Sequence, residues 1–167
     1  MLVNGLLDSL ADDGRVVMLS SAAHVQAPKG GIQFDNLDGA RGYSPWGNYG
    51  QSKFANLLFA KELHQRFAGT KKTAYAVHPG VIRTNLARSA GGAVQAIFAI
   101  AGPLFLKTIP QGAATEVFAA VPPQAPALAG QNLAVCNAAK PRKDAEDAAL
   151  ARQLWTVSEQ IVQGLPV

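Results

Sequence analysis

Two short apolar runs, Arg15–Leu19 and Thr73–His78, with a long helix-forming stretch between them, most restrict what this chain can fold into. Arg15-Val16-Val17-Met18-Leu19 follows the turn dipeptide Asp13-Gly14 and is apolar without alternation. That is the pattern of a strand covered on both faces of a parallel sheet. It opens into Ser20-Ser21-Ala22-Ala23, and the second run opens into Pro79-Gly80. Strands alternating with helices imply an α/β fold with a parallel sheet. In open sheets of this kind ligands sit outside the carboxyl ends of the strands, so both strand ends are candidate cleft positions.

The rest of the chain follows the same alternation. The spacing predicts a helix over Leu2–Leu10, a strand over Arg15–Ser20 and an irregular stretch from His24 to Gly47. A long helix is expected from about Tyr49 to Phe67, then the strand Thr73–His78, a further segment over 86–110 and a helix over Gln111–Ala120. A strand near Asn132–Cys136 and a helix over Ala145–Val162 close the chain. The glycines from Gly30 to Gly47 lie among Pro28, Asn36, Asp38 and Pro45 and read as turn residues. Phe54, Leu57, Leu58, Phe59, Leu63 and Phe67 clothe more than one stripe of the long helix. Such breadth predicts burial against the sheet and against a second partner.

Chemistry enters at Tyr49-Gly50-Gln51-Ser52-Lys53. Residues four apart lie stacked on one helix face, so the Lys53 ammonium can reach the Tyr49 ring. A cation beside a phenol favours the phenolate, which makes the pair a candidate acid/base. Taken alone, the pair is equally well a surface helix contact. A serine at the end of Arg15–Leu19 could donate a hydrogen bond to a substrate oxygen, or could merely satisfy local backbone groups.

Together, Leu19-Ser20-Ser21-Ala22-Ala23-His24, Tyr49-Gly50-Gln51-Ser52-Lys53 with the helix after it, and His78-Pro79-Gly80-Val81-Ile82-Arg83-Thr84-Asn85-Leu86 resemble the short-chain dehydrogenase/reductase family. The similarity is nearest the branch of the retinol dehydrogenases and the WW-domain oxidoreductase, and it runs from Leu2 to about Val162. The resemblance implies the C-terminal portion of a Rossmann-type doubly wound parallel sheet. It implies hydride transfer between NADP or NAD and an alcohol or carbonyl carbon. Tyr49 would be the catalytic acid/base, Lys53 its electrostatic partner and a holder of the nicotinamide ribose, and Ser21 the group that orients the substrate oxygen. Pro79, Gly80, Ile82 and Thr84 would form the loop that packs on the nicotinamide, and 86–110 would be a substrate lid. The apolar Ile97, Phe98, Ile100, Leu104 and Phe105 imply an apolar substrate or a packed core. The long helix over 49–67 would be a homodimer face.

The departures from the family pattern are as informative. None of Gly30-Gly31, Gly39, Gly42, Gly47, Gly50 or Gly91-Gly92 follows an apolar strand and opens a helix, so the 167 residues carry no dinucleotide-binding glycine turn. The family's helix asparagine has no counterpart either, since Asn4 falls too late on its helix. The chain is therefore expected to be one partial family domain over 1–167, lacking the first βαβ units and beginning inside that domain. Two functions stay open: an NAD(P)-dependent oxidoreductase, or a non-catalytic remnant or interaction module that does not bind nucleotide alone.

Composition excludes some other classes. The net charge of +4 is modest and its lysines and arginines are scattered, with no basic stripe interleaved with aromatics, so nucleic-acid binding is not expected. Residues Ala93–Leu106 form the longest apolar stretch but are broken by Gln95, Gly102 and Pro103, too short for a membrane span. Met1–Leu10 contains Asp8 and lacks a basic start, unlike a signal peptide. The lone Cys136 points to a reducing compartment, the cytoplasm, and reads as a packed small hydrophobe. His24, His64 and His78 show no metal-ligand spacing; His78 is expected to anchor the strand-to-loop transition, and His64 to face solvent or the helix surface.

Overall fold

Three strands, β1 (Arg15–Leu19), β2 (Thr73–His78) and β3 (Asn132–Ala134), lie parallel and side by side in a computed structural model that describes residues 2–82 and 106–165. A short β4 (Asn137–Ala138) pairs antiparallel with β3, giving the sheet order β1-β2-β3-β4. The register sets Arg15 opposite Thr73 and Leu19 opposite Val77, so the first two strands end level with one another. The Ser20 amide extends the ladder, donating to the Val77 carbonyl at 2.8 Å.

Helices cover both faces, as a doubly wound sheet requires. On one face lie α1 (Leu2–Leu6), α2 (Pro45–Arg66) and the C-terminal helix α4 (Ala148–Gln163); on the other lies α3 (Ile109–Ala120). Along β2 the alternation is clean: Ala74 and Ala76 pack towards α2, Tyr75 and Val77 towards α3. Phe54, Leu57 and Leu58 of α2 are fully buried against this sheet, each worth about 1.5–3 kcal/mol of apolar burial. The second partner for the broad apolar surface of α2 is the chain's own α4, where Trp155 stacks on Phe59 with ring centroids 4.8 Å apart.

Several element boundaries differ from the sequence expectations. The long helix begins at Pro45 rather than Tyr49, because the Ser44 hydroxyl accepts the Gly47 amide and proline suits the first helical turn. Pro45 and Gly47 are therefore helical, not turn residues. Residues 7–9 tighten into a 3₁₀ turn after α1, and the C-terminal helix starts at Ala148 because the Asp147 carboxylate caps the amides of Ala149 and Leu150. The last predicted strand stops at Ala134. Val135 and Cys136 form a two-residue turn at φ of 52° and 58°, and β4 returns from it unforeseen. Cys136 is thus a turn residue, and it is half-buried.

The proposed lid over 86–110 falls mostly outside the described residues, as does Thr84. Its described end joins the sheet's upper rim: Ile82 bridges to Lys107, and a capping box of Thr108 with Gln111 opens α3. Among the described residues no helix is long and apolar enough to cross a membrane.

Candidate active site

The carboxyl ends of β1 and β2 and the first turns of α2 meet at one rim of the sheet, and the described sequence-predicted residues, Ser21, Tyr49, Lys53, Pro79, Gly80 and Ile82, gather there. Ser20 and Ser21 divide the work between them. Ser20 is buried, and its hydroxyl donates to the Lys53 carbonyl at 2.8 Å, pinning α2 to the end of β1. Ser21 is only part-buried; its Oγ accepts the Ala23 amide at 3.2 Å, so it satisfies the backbone locally while keeping its own proton free to donate.

Lys53 is tied to the same strand end. Its Nζ lies 3.4 Å from the Leu19 carbonyl oxygen and 5.6 Å from the centroid of the Tyr49 ring. Asn56, one turn on, donates to the same Leu19 oxygen at 2.9 Å. Tyr49 is 38% exposed and makes an edge contact with Trp46 at 6.5 Å.

Gly50 sets how closely α2 approaches the segment after Ser21. A Cβ there would stand 2.7 Å from the Ala23 carbonyl oxygen and 2.8 Å from the Ala27 nitrogen. The contact is backbone on backbone, and only glycine allows it. Gln51, next along, is buried and accepts the Gln33 amide at 2.9 Å, which fastens the irregular stretch to the same helix.

Across the rim, Pro79-Gly80 turns away from β2 with Gly80 at φ of 91°. Lys107 lies along this turn: its Nζ donates to the Pro79 carbonyl at 3.2 Å, and a Cβ on Gly80 would meet its side chain at 2.8 Å. The side chain of Ile82 rests on Gly112 of α3, 2.3 Å from where a Cβ would stand. The His78 Nδ1 accepts the Ala22 amide at 3.1 Å and the Gly80 amide at 3.4 Å, which makes it the expected anchor of the strand-to-loop transition. Burial holds its imidazole below its ordinary value, with the Lys107 ammonium and then His24 adding to the effect.

Three residues give this rim a support that sequence reasoning did not single out. His24 is buried; its Nδ1 sits 2.6 Å from the Ser21 carbonyl oxygen and its Nε2 accepts the Arg142 amide at 3.3 Å. The Arg142 guanidinium donates to the carbonyls of Ala27 at 2.7 Å and Pro28 at 3.3 Å, pairs with Asp144 and covers the Phe54 ring at 5.0 Å. Together they lock the segment after Ser21 to the chain that follows β4. Lys107 does the same for the Pro79-Gly80 turn. Arg142 and Lys107 are remote in sequence from the groups they hold, and His24, though close to Ser21, is met by the distant Arg142 amide, so no local motif could mark these contacts. His64 lies elsewhere: it is half-buried and packs against Gly130, where a Cβ would stand 2.4 Å from its ring.

This rim coincides with a likeness to known proteins over nearly the whole chain. The chain is 39% identical over 175 aligned residues to "Short-chain dehydrogenase TIC 32 A, chloroplastic" of Brassica napus, a match covering 99% of this chain and 54% of that one. It is 36% identical to "Retinol dehydrogenase 14" of Homo sapiens over 96% of this chain and 47% of the relative. The chain belongs to the short-chain dehydrogenase family. It spans about half the length of these relatives. A crystal structure of an uncharacterized protein from Mycobacterium Paratuberculosis superposes with a TM-score of 0.62 at 31% identity, over 92% of this chain and 52% of that one. The α/β family fold expected from the sequence is thus the one observed. No protein-family model matches the chain.

Proposed function

We propose that this short-chain dehydrogenase chain contributes the proton-transfer half of an NAD(P)-dependent oxidoreductase that interconverts an alcohol and a carbonyl on an apolar small molecule. The observation that carries the reading is the Lys53 ammonium, 5.6 Å from the Tyr49 ring and fixed to the carboxyl end of β1. Tyr49 gives or takes the proton of the substrate oxygen. The Lys53 ammonium stands over the Tyr49 ring, and the Ser21 hydroxyl orients the same oxygen. The described residues fit the nicotinamide end of the nucleotide: Lys53 offers donors to its ribose, and Pro79, Gly80 and Ile82 belong to the turn that would lie along it; Thr84 is carried over from the sequence alone. The nucleotide supplies hydride chemistry when bound. NADP and NAD remain equal candidates, because the residues that choose between them belong to a part of the family fold with no counterpart here.

A second reading rests on a different observation. Among the described residues β1 pairs with β2 alone, and no glycine turn for a pyrophosphate occurs in the sequence. By that reading the chain is a folded remnant or interaction module that does not hold nucleotide alone. Two further points belong to the same proposal: a cytoplasmic location, on the single cysteine, and pairing of two copies through residues 49–67. Such pairing would have to use the exposed turns around Trp46 and Tyr49, since α4 covers much of the remainder.

Titrating the 167-residue chain with NADPH and with NADH, followed by nucleotide fluorescence, separates the readings. Saturable binding supports the oxidoreductase. No binding up to millimolar nucleotide would sink it for this chain by itself and favour the remnant.

A further inference from the structure

From the hydrogen bonds at the sheet rim we infer that His78 is a positioning residue: its neutral imidazole staples the backbone next to Ser21 to the Pro79-Gly80 turn, and Lys107 clamps that turn from the other side. The catalytic meaning of this staple rests on the proposed function, because Ser21 and Pro79-Gly80 matter to a reaction only if they serve substrate and nucleotide. The staple itself does not.

The geometry determines the protonation state. Both partners of His78 Nδ1, the amides of Ala22 at 3.1 Å and Gly80 at 3.4 Å, are donors, so Nδ1 must be the lone-pair nitrogen and the ring proton must sit on Nε2. An imidazolium carries a proton on both nitrogens and can accept from neither. Protonation therefore cuts the staple as completely as removing the ring. Ala22 directly follows Ser21, whose Oγ accepts from Ala23, so the tether fixes the backbone from which the Ser21 hydroxyl projects. On its other side Gly80, at φ of 91°, packs without a side chain against Lys107, whose Nζ holds the Pro79 carbonyl at 3.2 Å. Two strand ends that have no covalent reason to move together are thus joined through one ring.

The surroundings keep that ring neutral. The groups that act on it electrostatically are Lys107, from the chain entering α3, and His24, from the turn after Ser21. His24 accepts the Arg142 amide at its Nε2. The burial of His78 and the Lys107 charge both oppose a second proton. Mild acid is the condition that opens the staple.

Amide hydrogen exchange on the full 167-residue chain tests this without nucleotide, so a chain that binds no NAD(P) leaves the test intact. The Ser20 amide, held by Val77 at 2.8 Å, reports whether the sheet is folded. In His78→Leu, with Ser20 still protected, Ala22 should exchange about fivefold faster or more, the equivalent of one net hydrogen bond. Unchanged Ala22 exchange in that variant would overturn the inference. His78→Asn places an amide oxygen at the position of Nδ1, so it should restore Ala22 protection and abolish its loss in mild acid. If His78→Leu does not fold, the asparagine variant decides alone. A parent-like acid step at Ala22 in His78→Asn would show that the imidazole is not the acceptor.

Discussion

Gly50 and Ala23 meet so closely that a single carbon added to Gly50 would stand 2.7 Å from the Ala23 carbonyl oxygen. The same carbon would be 2.9 Å from the Gln26 carbonyl carbon, so no flexible side chain is available to give way. Inside a helix, Gly→Ala ordinarily stabilises by about 1 kcal/mol. Here the sign should reverse: Gly50→Ala is expected to destabilise by roughly 1–3 kcal/mol, the cost of overpacking a fixed contact. Urea denaturation of the two chains checks it, and a stabilised variant would mean that α2 and the segment after Ser21 are not in contact. Because that segment carries Ser21 and α2 carries Tyr49, the substitution should also separate the two hydroxyls.

The proton-transfer role proposed for Tyr49 is separable from its packing. Its ring is 38% exposed, so Tyr49→Phe should shift stability by no more than about 0.5 kcal/mol. Any nucleotide-dependent turnover should fall by about 10²–10⁴-fold, the contribution of a positioned acid/base. Lys53→Met removes both the charge beside the ring and the donor to Leu19, so it should reduce turnover and weaken nucleotide binding together. Steady-state kinetics beside a thermal melt distinguish the cases; a Tyr49→Phe variant that keeps full turnover would remove the acid/base from the proposal.

The β1–α2–β2 unit was legible because its signals are local. Val16 to Leu19 and Ala74 to Val77 are apolar runs bounded by Gly14, Ser20, Thr73 and Pro79, and the structure follows them within a residue. Tyr49, Lys53 and Ser21 could be singled out for the same reason. The errors came where a residue's environment overrides its usual meaning. Pro45 reads as a turn former until Ser44 is seen to cap the helix that Pro45 starts. Val135 is a strong strand former, yet it occupies a left-handed turn because Asn137 must return beside Ala134. His24, Lys107 and Arg142 act on the rim through contacts made far along the chain, and such contacts leave no trace in spacing.

Acid sensitivity should come from two histidines at once. Burial lowers the His64 and His78 values below the ordinary 6.5, and for His78 Lys107 and His24 add to the shift. Between the native value and 6.5 the unfolded chain binds more protons than the native one, so stability rises with pH through that window. The contribution is fully present above pH 6.5 and is lost as pH falls below it, down to the native values. Urea midpoints measured across that window should decline with acidity in the parent and decline less in His78→Asn. A parent whose midpoint is flat across the window would show that neither ring is held neutral by the fold.

The turn between β3 and β4 is the place where a substitution should make this chain more stable. A two-residue hairpin connection of this kind needs positive φ at both positions, and glycine and asparagine adopt it readily. Val135 and Cys136 are held there at 52° and 58°, where a side chain with a Cβ costs about 1–2 kcal/mol. Little is lost by replacing them. Val135 is 65% exposed, and the Cys136 backbone amide, which donates to the Thr115 hydroxyl at 3.3 Å, survives any change of side chain. Among the described residues, the side-chain hydrogen bond that disappears is the weak one from Cys136 Sγ to the Ala114 carbonyl. Val135→Asn with Cys136→Gly should therefore raise the melting temperature, by about 2–4 °C for each kcal/mol recovered in a chain of this length. Calorimetry of the double variant checks the gain. A lowered melting temperature would mean that the Val135 and Cys136 side chains stabilise the hairpin by more than their backbone conformation costs.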